Sequence, residues 1–333
     1  MQGTAMHLID RVLPEVPVRQ WVLSLPRWAR FLLARDPLLI TRTLERTLRE
    51  IFKSHRRRAR RAGMRCPRTG AITFIQRFGS MLNLNVHFHC VIPDGVFVRK
   101  QGAVRFEPLP APSDDEVRAI LQKLVARIGS LLRPRLDAAR NDARPPDALA
   151  AAQADSVAAN AGRPPEAIVT KRHAACLAGF SLHAGVHLHA NDREGLARLC
   201  GYGARPALSQ ERLSALPDGR LAIRLKRPLA DGRLKLELDP VELLRRLATL
   251  VPPPRAHVTR FHGVFGPASK WRSEVVPKPP LRASSLPTAP WSGAMLEHLR
   301  LPTTAPLFAP VRAGQPDAAG WQDDVPELQL SLR

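Results

Sequence analysis

The stretch NLNVHFHCVIPDGVF, Asn83 to Phe97, narrows the possible folds more than any other part of this chain. Asn83, Asn85, His87 and His89 stand at every second position, with Leu84, Val86, Phe88 and Cys90 between them. In an extended chain successive side chains point to opposite faces. One face is therefore an ordinary core face, and the other lines up amides and imidazoles. A strand that only packs has no need of that second face. Just upstream, AITFIQRFG (71–79) is another β-rich run, separated by a short Gly/Ser/Met turn. The two read as neighbouring antiparallel strands, and Asp94-Gly95 marks a further turn.

The remaining pattern mixes helices with strands. Residues 7–62 read as mostly helical, with Leu38, Leu39, Thr43, Leu44, Leu48 and Phe52 at three- and four-residue steps. A second helical stripe runs through Val117, Ile120, Leu121, Leu124, Val125 and Ile128. GFSLHAGVHLHA (179–190) is a strand, followed by a helix capped by Asn191 or Asp192. LPDGRLAIRLKRPLADGRLKLELDP alternates as strands, and DPVELLRRLATLVPPP is a helix closed by prolines. This order predicts an α+β fold, an antiparallel sheet with helices packed on it. Three regions are expected: a helical, basic segment 1–66, a central domain 67–256 and a C-terminal extension 257–333. Within the central domain, 133–166 reads as a loose insertion or a helical excursion. The extension is Pro-rich and expected to be mobile from about 273.

Charge constrains the partner. Lys and Arg total 51 against 29 acidic residues, a formal charge of +22. Each Lys or Arg that neutralises a phosphate releases counterions, so this excess favours a nucleic acid. A GC-biased genome would also enrich arginine, leaving only a solvated basic surface. The segment SHRRRARRAGMR places Arg56, Arg57, Arg58, Arg60 and Arg61 around one helix end, a candidate DNA-binding patch. No run of about 18 apolar residues is present, so no membrane span is expected. Cys66, Cys90, Cys176 and Cys200 are far apart with no CxxC pair, which fits a reducing cytoplasm.

His87 and His89, at i and i+2 on a strand, project to one side and can share a metal ion. Isolated HxH triplets are common, and this chain has a second, His187 and His189. The only tyrosine, Tyr202, lies in ARLCGYGARP with Arg198 and Arg205 near it. A phenol with a pKa near 10 needs cationic neighbours or a metal to act as a nucleophile. The ordinary reading of such a tyrosine is a packed aromatic; the cationic reading makes Arg198 and Arg205 phosphate-binding residues.

Taken together, these segments resemble the rolling-circle HUH transposases (His, hydrophobic, His) of the IS-ninety-one type, single-tyrosine branch. The likeness rests on VPVRQWVLSLP, RRRARRAG, ITFIQRFGSMLNLN, NLNVHFHCVIPDGVF, LARLCGYGARPAL, LPDGRLAIRLKRPLADG and LVPPPRAHVTRFHGVFGP, in that order across roughly residues 7–280. The resemblance implies an HUH endonuclease-like core, with His87 and His89 as ligands of a divalent metal, Mg or Mn. The third ligand would be His183 or, alternatively, Gln76. Tyr202 would be the nucleophile, forming a 5′-phosphotyrosyl intermediate with single-stranded DNA at transposon ends and transferring it to a target. Host replication proteins are possible partners, and the place of action would be a bacterial cytoplasm, at the nucleoid. Three departures stand out. The Cys-rich zinc-binding region expected ahead of VPVRQW does not precede it, so the chain reads as N-terminally shortened. Gly201 replaces an expected Arg, and Phe261 an expected Tyr. Two other readings share the same features: a catalytically inactive nucleic-acid-binding remnant, and a replication initiator or relaxase with the same chemistry.

Overall fold

The computed structural model describes residues 2–141, 146–158, 172–225, 228 and 231–278. In chain order the first elements are α1 (Gln2–Arg11), β1 (Val18–Ser24), α2 (Arg27–Arg35), α3 (Pro37–Arg61), β2 (Gly70–Phe78) and β3 (Leu84–Pro93). Then come β4 (Gly95–Lys100), β5 (Ala103–Pro108), α4 (Asp114–Asn141), α5 (Ala148–Ala158), β6 (Ala174–Leu177), β7 (Phe180–Leu188) and α6 (Arg193–Gly203). The last are β8 (Leu213–Ala215), β9 (Leu221–Arg224), β10 (Lys235–Leu238), α7 (Pro240–Leu250), β11 (Thr259–Gly263) and α8 (Arg272–Val275). No helix among the described residues is long and apolar enough to cross a membrane.

The α+β expectation holds. Six strands form one sheet in the order β11-β2-β3-β1-β7-β6, with every neighbouring pair antiparallel. β2 and β3 pair as their alternation predicts, with Gln76 opposite His87 and Phe74 opposite His89. A small sheet, β10-β9-β8, and a hairpin, β4-β5, complete the strands.

The two faces of β3 meet different layers. Leu84, Val86, Phe88, Cys90 and Ile92 point into a core shared with Leu33, Leu44 and Leu48 of α2 and α3 and with Leu121, Leu124 and Ile128 of α4. Each fully buried Leu or Phe of this kind contributes about 1.5–3 kcal/mol. The other face carries Asn85, His87 and His89, and α6 covers it. Helix α6 is braced in turn by α1, because the Arg193 guanidinium donates to the carbonyls of Ile9 (2.6 Å) and Leu13 (3.4 Å).

Several boundaries differ from expectation, for one reason: strands distant in sequence complete a single sheet. The segment 1–66 is not separately helical. Its VRQWVLS run forms β1, fully buried between β3 and β7 in the middle of the sheet. Likewise, the boundary at 256 falls just before β11, whose Phe261 pairs with Ile72 at the sheet edge. Within 133–166 the described residues follow the helical-excursion alternative: α4 runs to Asn141, and α5 buries Ala150, Gln153 and Val157. Ser156 of α5 accepts a hydrogen bond from the Leu84 amide at 2.8 Å, tying α5 to the start of β3. Residues 142–145, 159–171 and 279–333 lie outside the described residues, the last taking with it nearly all of the stretch expected to be mobile from about 273.

At one end of the sheet Arg19 and Asp94 form a buried ion pair at 2.6 Å, and Arg19 also donates to the Ala184 carbonyl at 2.8 Å. The pair thereby clamps β1 to β3 and β7. Beneath Trp21 lies His55 of α3, with ring centroids 6.2 Å apart and His55 fully buried. Burial, with the Arg58 charge adding to it, pushes His55 down from 6.5 to about 4. Between those values the unfolded chain takes up a proton that the folded chain refuses, so acid favours unfolding. This group's contribution is complete above about pH 6.5 and lost as pH falls toward 4, an effect on the order of 3 kcal/mol. Chemical denaturation across pH 7 to 4 is expected to show that decline, and His55→Met to make it shallower, leaving the share of the buried His87 and His89.

Candidate active site

The polar face of β3 is dry. His87 and His89 are 1% and 0% exposed, and Asn85 is equally enclosed. Asn83, expected on the same face, instead belongs to the β2–β3 turn, where a Cβ on Gly79 would lie 2.3 Å from its Oδ1. The two imidazoles sit with ring centroids 4.9 Å apart and planes at 64°. The Tyr202 ring meets His89 edge-on, with centroids 5.7 Å apart. A strand pair and a helix separated by more than a hundred residues thus converge on one site.

Local chemistry explains the placement of Tyr202. Asp192 caps α6 by accepting from the Gly195 amide at 2.7 Å, which fixes where the helix starts. Leu196, Leu199 and Cys200 bury the inner stripe. At the far end Gln76 of β2 donates to the carbonyls of Tyr202 (2.9 Å) and Gly203 (3.1 Å). These are carbonyls that a helix end leaves without an intrahelical partner. Gly203 lets the helix end settle on the sheet, because a Cβ there would lie 2.4 Å from the Phe74 ring. Gly201 has no such steric reason, for a Cβ there would meet nothing within 4 Å.

The phenol itself is half-buried. Arg205 donates to the Tyr202 hydroxyl at 3.2 Å, and its guanidinium lies 4.3 Å from the Tyr202 ring centroid and 5.3 Å from that of Phe78. Cation–π contact on both rings holds this charge beside the phenol oxygen. Of the two arginines flagged near the tyrosine, Arg205 touches it, whereas Arg198 pairs with Glu194 at 3.7 Å.

Protonation favours ligand chemistry at the histidines. Burial pushes His87 down to about 4, helped by Arg30 and Arg205, against the opposing hydrogen bond from its ring to the Asn85 carbonyl. Burial, then His87 and Arg205, holds His89 well below the usual histidine range. Both rings are neutral at neutral pH, as metal ligands must be. The Asn85 carbonyl can only accept, so its 2.8 Å bond places the His87 proton on Nδ1 and leaves a lone pair on Nε2.

Gln20 of β1 is a site residue that sequence reasoning missed. Its side-chain amide lies 3.1 Å from His89 Nδ1. Local pattern could not have found it, because VRQWVLS is recognisable as a buried strand only in the assembled sheet. Five buried polar atoms of this face have no hydrogen-bond partner: His87 Nε2, His89 Nε2, Gln20 Oε1, Gln76 Oε1 and Asn85 Oδ1. Leaving one such atom unpaired costs about 1–3 kcal/mol. His87 Nε2 and the three amide oxygens carry lone pairs that an ion would accept, and His89 Nε2 joins them once the Gln20 amide turns its oxygen toward Nδ1. The described residues form no group of three or more His, Cys, Asp or Glu able to hold a metal. Any set built here therefore combines two imidazoles, which suit Zn, Fe, Ni or Cu, with amide oxygens, which suit Mg and Mn.

Other flagged residues lie elsewhere. His183 shares the face but sits on β7, opposite Val22, with β1 between it and His89. His187 sits opposite Arg19 on the other face, 3.5 Å from Asp94, so the second HxH does not join the first. The arginine run at the end of α3 belongs to the helical layer across the sheet from Tyr202. There Arg58 is enclosed and paired with Glu116 at 3.4 Å, Arg57 shares the same carboxylate, and Arg60 and Arg61 are exposed. Arg58 is thus a structural link between α3 and α4, and Arg56 is half-buried.

A protein-family model described as "Putative transposase" matches residues 70–272, from β2 to the first residue of α8. No curated protein and no solved structure matches the chain. The matched region holds β2, β3 and α6, the elements that carry Gln76, both buried histidines and Tyr202, and spans more than half of the sequence. The chain belongs to this transposase family.

Proposed function

We propose that the chain is a single-strand DNA transposase of the HUH class, of the IS-ninety-one type, with Tyr202 as its nucleophile. The observation that carries this reading is the approach of Tyr202 to His89, on a sheet face whose buried lone pairs lack partners. Such a transposase must break a DNA strand and hold the end until it is joined elsewhere. A tyrosyl phosphodiester does so without an energy source, because it conserves the free energy of the bond it replaces.

In this reading the Tyr202 oxygen attacks phosphorus in line. The Tyr–O–P bond forms as the bond from phosphorus to the 3′ oxygen breaks. The phenol gives up its proton to solvent, and the leaving oxygen takes one up as a free 3′ hydroxyl. Arg205 supports the step by placing positive charge against the attacking oxygen as the phenol loses its proton. Gln76 fixes the helix end that carries Tyr202, and Gly203 allows the approach. His87 and His89, with the Gln76 amide oxygen, would hold a divalent ion such as Mg or Mn. His183 remains a further candidate for the third ligand. When bound, such an ion supplies Lewis-acid polarisation of the phosphoryl oxygen.

Two measurements test this reading. Incubated with Mn and a pool of single-stranded oligonucleotides, the full chain is expected to form a denaturant-resistant adduct, and Tyr202→Phe to form none. An adduct that survives the substitution removes Tyr202 from the mechanism. The second concerns Gln20. For His89 to bind through Nε2 its proton must sit on Nδ1, and only a Gln20 amide oxygen turned toward the ring can accept it there. Gln20→Leu is therefore expected to weaken Mn binding by roughly 10- to 100-fold in calorimetry, as loss of a ligand-orienting partner does. Unchanged affinity would show that another group orients His89.

A further inference from the structure

Arginines on the small sheet beside the site fall into two groups. Arg220 is neutralised by Asp218 (2.6 Å) and Glu237 (3.0 Å), and Arg233 by Asp231 (2.6 Å). Arg212 and Arg224, on the same sheet and the turn leading into it, have no carboxylate partner among the described residues, and neither has Arg205.

Arg205 and Arg212 meet at the end of β2, Arg205 beside the phenol, and Arg224 on β9 adjoins Arg212. Arg205 lies over Phe78, the last residue of β2, and donates to Tyr202. Arg212 reaches the Ser80 carbonyl, just beyond Phe78, at 3.5 Å, and its Nε donates to the Arg224 carbonyl at 2.8 Å. Partial burial first, then the Arg205 and Arg224 charges, lowers the Arg212 pKa from 12.5. Arg205 Nε is enclosed without a partner.

Like charges held together with no acid between them repel one another, and a bound anion relieves that repulsion. Guanidinium forks match phosphate oxygens in geometry and charge. We propose that Arg205, Arg212 and Arg224 form a phosphodiester cradle that binds the backbone of a nucleic-acid strand and leads it to Tyr202. The cradle rests on the assignment of Tyr202 as nucleophile for its purpose, though not for its binding. It also gives β8-β10 a role, as the support that carries two of the charges alongside α6. The arginine run of α3, across the sheet, cannot supply this contact.

Binding of a fluorescein-labelled single-stranded oligonucleotide, measured by anisotropy across a salt series, tests the cradle. Losing a phosphate contact lowers the slope of log affinity against log salt by about 0.7 on single strands. Arg212→Gln with Arg224→Gln is expected to lower that slope by about 1.4, and Arg220→Gln, already neutralised, to leave it unchanged. Among the described residues the Arg224 side chain makes no hydrogen bond. Arg224→Gln alone is therefore a mild change that should lower the slope by about 0.7 even if the double variant fails to fold. A slope equal to that of the unaltered chain in the Arg224 variant, or an equal loss in the Arg220 control, overturns the cradle. Slope loss in a chain that forms no tyrosyl adduct keeps the cradle and overturns only the cleavage reading. An adduct-forming chain whose slopes ignore these arginines does the reverse.

Discussion

Everything at this site depends on one strand having both faces covered. β3 lies between β2 and β1, with a helical layer on its apolar side and α6 on the other. A surface strand could hide its polar side chains in water at no cost. Here His87, His89 and Asn85 are removed from water, and each lone pair must find a partner or carry a penalty. Some partners are built in, such as the Asn85 carbonyl for His87 and the Gln20 amide for His89. The atoms left over point to what the face is for, because a fold that only packed would have filled these positions with valine and isoleucine.

The same enclosure sets the electrostatics. Burial alone disfavours imidazolium, and the guanidiniums of Arg205 and Arg30 add to it. The histidines are thus kept as neutral donors while positive charge concentrates by the phenol. A neutral donor pair beside a cationic rim suits an anionic substrate approaching from solvent. Compare the opposite end of the sheet. There the Arg19–Asp94 pair neutralises itself internally and His187 adds a neighbour to the carboxylate. One end serves cohesion, and the other is left electrostatically open.

The glycines around Tyr202 show how packing can override helix propensity. Two glycines flanking the tyrosine look like decay of a helix, each costing up to about 1 kcal/mol relative to alanine. Gly203 is required, because any side chain there would strike Phe74 and lift the helix end off Gln76. Only Gly201 is without a steric reason.

Alternation in NLNVHFHC by itself determined the two-faced character of β3 and the presence of both imidazoles on one face, because a two-residue period admits no other extended geometry; the short turn after AITFIQRFG pointed to its pairing with β2. Apolar steps of three and four likewise settled α3 and α4, closing prolines bounded α7, and Asn191 or Asp192 marked the start of α6. Linear pattern could not show that VRQWVLS is the strand beside β3, since a short run fully buried on both faces has no alternation to betray it. Nor could it separate the two HxH triplets. Their local sequences are alike, and the choice follows from strand register, which puts His187 opposite Arg19 and leaves Val22 level with His89. Gln20 at His89, Gln76 under the end of α6 and Arg212 at Ser80 are meetings across long stretches of chain. Such contacts are decided when the whole sheet closes and α6 docks, because only then do residues far apart in sequence exclude water from the same few cubic ångströms.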